Sequence, residues 1–262
     1  MGIRMNVRNG SVAFLFLTAV AFSTGTALAD NVEHNTDYSI ALSGLPIARA
    51  SFQTILTDDR YTISGTLNSA GLADVLSSTS GRTRVSGVVQ RDKLRASEYS
   101  VSYKTGKRGR DIDVQFRDGD VTSATMTPKR RIPKNWVPVK PGDMRNVLDP
   151  LSGLIFPADA KVCPKTLPIF DGESRVDLKL SAKGTRSFKT QGFEGDVIVC
   201  GVQFVPKSGF RKGRDDVEYL RRLASMEIWF AKADAVNVYA PVYVRIPTRL
   251  GPVTVSATRF GG

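Results

Sequence analysis

Apolar residues recur at every second position through most of this chain, and that period limits the possible folds more than any other feature. In RDIDVQFR, Ile112, Val114 and Phe116 alternate with Asp111, Asp113, Gln115 and Arg117. SRVDLKL sets Val176, Leu178 and Leu180 against Arg175, Asp177 and Lys179, and SMEIWFA sets Met226, Ile228 and Phe230 against Glu227 and Trp229. Successive side chains leave a strand on opposite faces, so these segments read as strands with one face buried and one wet. TDYSIALSG, IARASFQTILT, RYTISGTLN, RTRVSGVVQ, LRASEYSVSYK, DVIVCGVQFVP, APVYVRIP and PVTVSATRF follow the same style. Turn residues separate them, at Asp58-Asp59, Asp92-Lys93, Asp118-Gly119 and Leu250-Gly251-Pro252. Of these, Asp118-Gly119 is the strongest hairpin signal, because a type I′ turn needs positive φ at both central residues.

About a dozen strands in succession cannot lie flat without leaving long unpaired edges. The expected fold is mainly β: a strongly curved antiparallel sheet or open β-barrel meander with two or three short helices. The helix candidates are GLADVLSS over 71–78, NVLDPLSGLIF over 146–156 and DDVEYLRRLA over 215–224. In the second, Asp149 suits the N-cap and Pro150 the first turn. In the third, acids precede arginines, the order that the helix dipole favours. One long stretch breaks the pattern: TPKRRIPKNWVPVKPGD, over 127–143, carries four prolines and five Lys or Arg. Its X-Pro steps keep the backbone extended, as a linker or as a wrap across the sheet.

The N-terminus sets Arg4 and Arg8 before a short apolar run and the small-residue site Ala27-Leu28-Ala29. This is the form of a secretory signal peptide over 1–29, cleaved near Ala29, with a single β-rich periplasmic domain over 30–262. The apolar run is shorter than the ~20 residues a spanning helix needs, so the chain should be peripheral to a membrane at most. The leader carries two arginines and no acid, so its removal takes the net charge from +12 to +10. A basic exported protein meets lipid headgroups, acidic glycans or other anionic envelope polymers, and envelope proteins, rather than nucleic acid. The two cysteines, Cys163 and Cys200, are an even count in an oxidising compartment and are expected to form a disulfide.

Catalytic signatures are missing: there is no GxSxG, SxxK, HExxH, P-loop or dinucleotide fingerprint. The single histidine, His34, stands in a polar stretch near the mature start, the setting of a frayed terminus. With two separate cysteines it makes no tetrahedral metal site, and no cofactor is implied. Asp149, Asp171 and Glu227 could form a carboxylate pair for glycan cleavage, although a cap, a turn and a strand-face charge are their ordinary roles. Basic residues cluster at Lys104/Lys107/Arg108/Arg110, Lys129/Arg130/Arg131/Lys134 and Arg211/Lys212/Arg214. These could form an anion-binding rim or remain separate solvated loops. Trp136 and Trp229 could line a groove mouth or staple a loop to the sheet. Small residues among the apolar ones, such as Ala48 and Ala50 before Phe52 or Gly65 between Ile63 and Leu67, leave room for an acyl-chain cavity or for a helix.

The runs DPLSGLIF, TLPIFDGESRVDLKL and the closing SMEIWFAKADAVNVYAPVYVRIPTRLGPVTVSATRF resemble a family of exported proteobacterial proteins. It is the domain-of-unknown-function family numbered three-one-zero-eight. The residues carrying the likeness are Asp149, Pro150, Ser152, Leu154, Phe170, Asp171, Gly172, Arg175, Pro241, Arg245, Ile246, Thr248, Leu250 and Gly251. The resemblance spans essentially the whole mature chain and implies location and fold rather than chemistry. It makes Asp171 and Arg175 the best-motivated site candidates. The expected function is a non-enzymatic periplasmic cell-envelope protein that binds a lipid, lipoprotein or cell-wall component, or acts as a scaffold. The alternative is a carboxylate-dependent envelope glycan hydrolase. The candidate ligand residues are Lys129, Arg130, Arg131, Trp136, Asp149, Asp171, Arg175 and Trp229.

Overall fold

The computed structural model describes residues 32–261, apart from 58, 72, 73, 75, 76, 91, 92 and 130. The signal peptide expected over 1–29, the candidate residue Arg130 and half of the residues of the helix expected over 71–78 lie outside the described residues.

Strands β1 (Val32–Leu42), β2 (Leu45–Leu56), β3 (Arg60–Ser69), β4 (Thr79–Gln90), β5 (Lys93–Thr105), β6 (Arg108–Arg117) and β7 (Asp120–Thr127) form an antiparallel meander. Two short strands follow, β8 (Trp136–Val137) and β9 (Phe156–Pro157). The second half contributes β10 (Lys165–Phe170), β11 (Arg175–Thr190), β12 (Phe193–Ser208) and β13 (Phe210–Arg211). It ends with β14 (Met226–Ala233), β15 (Val238–Thr248) and β16 (Gly251–Phe260). Pairing of β1 with β16 joins the halves into one sheet with the order β10-β11-β12-β14-β15-β16-β1-β2-β3-β4-β5-β6-β7, and β9 pairs with β15. The protein is thus mainly β and antiparallel, as the alternating pattern implies. Asp118 and Gly119 both have positive φ, +55° and +89°, and make the tight hairpin between β6 and β7.

The sheet does not close by strand pairing, because β7 and β10 stand at its two ends. Residues 146–148 strap those ends together. Asn146 N–H donates to the Asp120 carboxylate and Val147 N–H to the Gly119 carbonyl at one end. At the other, Leu148 N–H donates to Pro168 O and Phe170 N–H to Leu148 O. Pro168 has no N–H to give, which an edge strand facing a strap accommodates. The turn between β10 and β11 also lies on β6: a Cβ built on Gly172 would stand 2.3 Å from Ile112 Cγ2.

The inward-facing alternates of both halves form the main core, including Ile63, Val85, Val114, Phe170, Val242 and Phe260. A second cluster sits around Cys163, Leu167, Cys200 and Phe230. Cys163 and Cys200 are bonded, with Cα atoms 6.2 Å apart, and tie the loop before β10 to the middle of β12. Of the expected helices, DDVEYLRRLA forms α1 (Asp215–Arg222). The segment 146–156 is instead the strap followed by one 3-10 turn, Ser152–Leu154, because its backbone hydrogen bonds go to β10 and the β6–β7 hairpin.

Candidate functional site

On the inner face of the sheet, beneath β1, β2 and β3, lies an apolar cavity of about 260 Å³. Strand alternation aims His34, Thr36, Tyr38 and Ile40 of β1 into it, with Ala50, Phe52 and Thr54 of β2 and Ile63 and Leu67 of β3 beside them. Val238, Ala240 and Val244 of β15 supply the facing wall, and Leu151, Leu154 and Ile155 come from the segment after the strap. One end is lined by half-buried aliphatics, Ile40, Leu67, Leu154, Val244 and Val255. Beyond them, Leu45 and Leu250 at the adjoining hairpin tips are 66% and 80% exposed.

The other end is closed. The tip of the β11–β12 hairpin folds onto β16, where Phe260 N–H donates to Gln191 O and the rings of Phe193 and Phe260 meet edge to face. The His34 ring stands edge-on to Phe260 with centroids 4.4 Å apart. His34 is 5% exposed, not frayed, and its Nε2 is buried with no hydrogen-bond partner among the described residues. Burial holds its pKa below the ordinary 6.5, so the imidazole is neutral at pH 7. Thr54 lies directly opposite in the register, and Thr36 and Thr54 are both buried. The Tyr38 hydroxyl, by contrast, donates to Pro241 O.

A second concavity, a groove of about 820 Å³, lies on the opposite face of β1–β6. Two cross-strand rows line it, Asp37-Ser51-Thr66-Arg82-Ser102-Asp111 and Asn35-Gln53-Ser64-Arg84-Ser100-Asp113. Each row centres on an arginine flanked by small hydroxyl side chains. Arg84 donates to Ser64 Oγ at 3.1 Å, and Arg82 makes no ion pair among the described residues.

The family profile described as Protein of unknown function (DUF3108) matches residues 37–258. The chain belongs to the DUF3108 family. No curated protein matches it in sequence. In fold, this DUF3108 chain is similar to the crystal structure of a beta-barrel-like protein of domain of unknown function DUF1849 from Brucella abortus. The TM-score is 0.53 at 10% identity, over 89% of this chain and 98% of that one. The DUF3108 match covers the cavity wall from Tyr38 onward and leaves out His34 and Thr36.

Most of the residues that sequence reasoning singled out in this DUF3108 chain are engaged in the architecture. Asp149 has no exposed surface; it accepts hydrogen bonds from Leu151 N, Ser152 N and the Ser152 hydroxyl, capping the turn after the strap. Burial raises its pKa despite those donors. Burial, with the Asp149 charge second, also pushes up the Tyr61 hydroxyl beside it. Asp171 accepts from Glu173 N and Ser174 N, closing the turn between β10 and β11 around Gly172, and burial raises its pKa too. Arg175, 11% exposed at its side chain, pairs with Asp177 at 2.6 Å and donates to Val176 O.

Trp229 packs against Phe188 and Tyr243 beneath the Arg186 guanidinium and donates to Glu227. Trp136 is half-buried opposite Arg211 in the β8–β13 ladder. That ladder puts the second and third basic clusters together: Arg211 donates to Asn135, and Asn135 to Lys212 O. Lys129 and Arg131 are exposed in the same loop. The first cluster joins them through the β10–β11 turn, where Arg110 pairs with Glu173 at 3.6 Å and Ser174 donates to Gly209 O, next to β13. Among the described residues no group of three His, Cys, Asp or Glu could hold a metal ion, and no helix is long and apolar enough to cross a membrane.

Proposed function

We propose that this protein is an exported, periplasmic cell-envelope protein that holds the apolar chain of a lipid or lipoprotein on the concave face of a strongly curved sheet, without transforming it. The cavity under β1–β3 carries this reading: a largely apolar space, lined at one end by half-buried aliphatics and ended at the other by His34 packed on Phe260. Its 260 Å³ falls just below the ligand-pocket range of about 300–1,000 Å³, a size for a single alkyl chain rather than a whole lipid. The leader pattern at 1–29 and the disulfide fit a chain that folds in an oxidising compartment. A glycan hydrolase working through Asp149 and Asp171 draws less support. Both carboxylates are committed to backbone N–H groups within turns, one of them fully buried.

Native mass spectrometry of protein prepared from the periplasm, before and after addition of single-chain lipids, tests the proposal. A bound apolar species, lost when Ala50→Phe fills the cavity, is the expected result. A protein that neither carries nor takes up any alkyl chain ends this reading.

A further inference from the structure

A buried polar atom with no partner is costly, on the order of 1–3 kcal/mol, and native proteins keep few of them. Among the described residues His34 Nε2 is such an atom, on a side chain that lines a largely apolar cavity. It stands at the closed end, beside Thr36 and opposite Thr54, while the other end is aliphatic. The cavity is therefore polar at its depth and apolar along its length. No charged side chain among the described residues lines it.

We infer that the ligand is a single-chain amphiphile bound head-inward, its hydroxyl or protonated carboxyl group hydrogen-bonded to His34. This rests on the apolar-chain reading above and adds the orientation and the head chemistry. A neutral imidazole offers a donor at one nitrogen and an acceptor at the other. A hydroxyl or a carboxylic acid both donates and accepts, so it can satisfy Nε2 in either tautomer. An anionic head is disfavoured, since no cation among the described residues lines the closed end and burial already opposes charge on the imidazole. A bare alkane fills the same volume and leaves Nε2 orphaned. Thr36 and His34 both lie on β1, just before residues 37–258, the span that the family profile matches.

His34 is the chain's only histidine, so imidazole NMR signals of tag-free protein report on it without assignment. Protein is titrated with 1-decanol and with undecane, which have equal numbers of heavy atoms. Decanol should shift the His34 ring resonances and bind roughly three- to tenfold more tightly than undecane, the worth of one net hydrogen bond. His34→Leu should remove that preference while still binding undecane. Should the leucine variant not fold, the parent's imidazole resonances carry the test: decanol should shift them and undecane should not. If decanol and undecane bind equally and leave the imidazole signals alike, the head-inward assignment is wrong and the apolar pocket stands. If neither chain binds, the carrier reading falls with it.

Discussion

Asp149 has no exposed surface, yet its carboxylate receives three hydrogen bonds from Leu151 and Ser152. That Asp149 binds the N–H groups just after it was legible in the DPLS spelling, because an Asp before a proline at a turn start has a local reason to be there, although the helix it was expected to cap does not form. Its burial was not legible, since that comes from strands far away in sequence. Burial raises its pKa above the ordinary 3.8, so the folded protein holds this proton more tightly than the unfolded chain does. That contribution favours folding at low pH and is lost as pH rises from about 3.8 toward neutrality. Asp149→Asn keeps an acceptor for the two backbone N–H groups and removes the charge. Its stability relative to the parent, measured by urea unfolding, should therefore improve between pH 4 and pH 7; a constant difference would show that burial does not perturb this carboxyl. His34 was misread from its polar neighbours. It shares parity with Tyr38 and Ile40 in VEHNTDYSIAL, and that alternation was the signal that it faces inward.

At the scale of elements, the turn between β10 and β11 shows how one glycine serves two constraints. Gly172 has φ +95°, and a Cβ there would collide with Ile112 and Val114 of β6. Gly172→Ala should cost roughly 2–4 kcal/mol in chemical denaturation, combining left-handed strain with overpacking. A loss under 1 kcal/mol would mean that the turn does not bear on β6. Disulfide geometry gives a second test at this scale. The link between Cys163 and Cys200 closes a separation of 37 residues, and replacing both with alanine should lower stability by about 2–5 kcal/mol. Unchanged unfolding midpoints, or two free thiols in periplasmic protein, would overturn this. The helix expected over 146–156 failed for an identifiable reason: its N–H groups have better-placed acceptors on β10 and on the β6–β7 hairpin. The segment over 127–143 was read as a wrap or a linker; it pairs through Trp136–Val137 with Phe210–Arg211.

For the whole molecule, the pairing of β1 with β16 brings the two halves of the meander into one sheet, and the 146–148 strap joins its free ends. The proposed export predicts that the protein appears in periplasmic extracts with an intact mass that starts near Asp30. Cytoplasmic retention of residues 1–29 would contradict export. By itself the sequence determined the long strands, the hairpin turns and the disulfide partners, because strand period and turn conformation are set by neighbours a few residues away, and a chain with two cysteines offers a single intramolecular pairing. Tertiary structure alone decided that the first and last strands pair, that a strap rather than a strand bridges the edges, and that the basic loops adjoin. It also decided where a cavity remains, with a histidine at its end. A void is the difference between the volume that distant strands enclose and the volume their side chains fill, and no local stretch of sequence carries that difference.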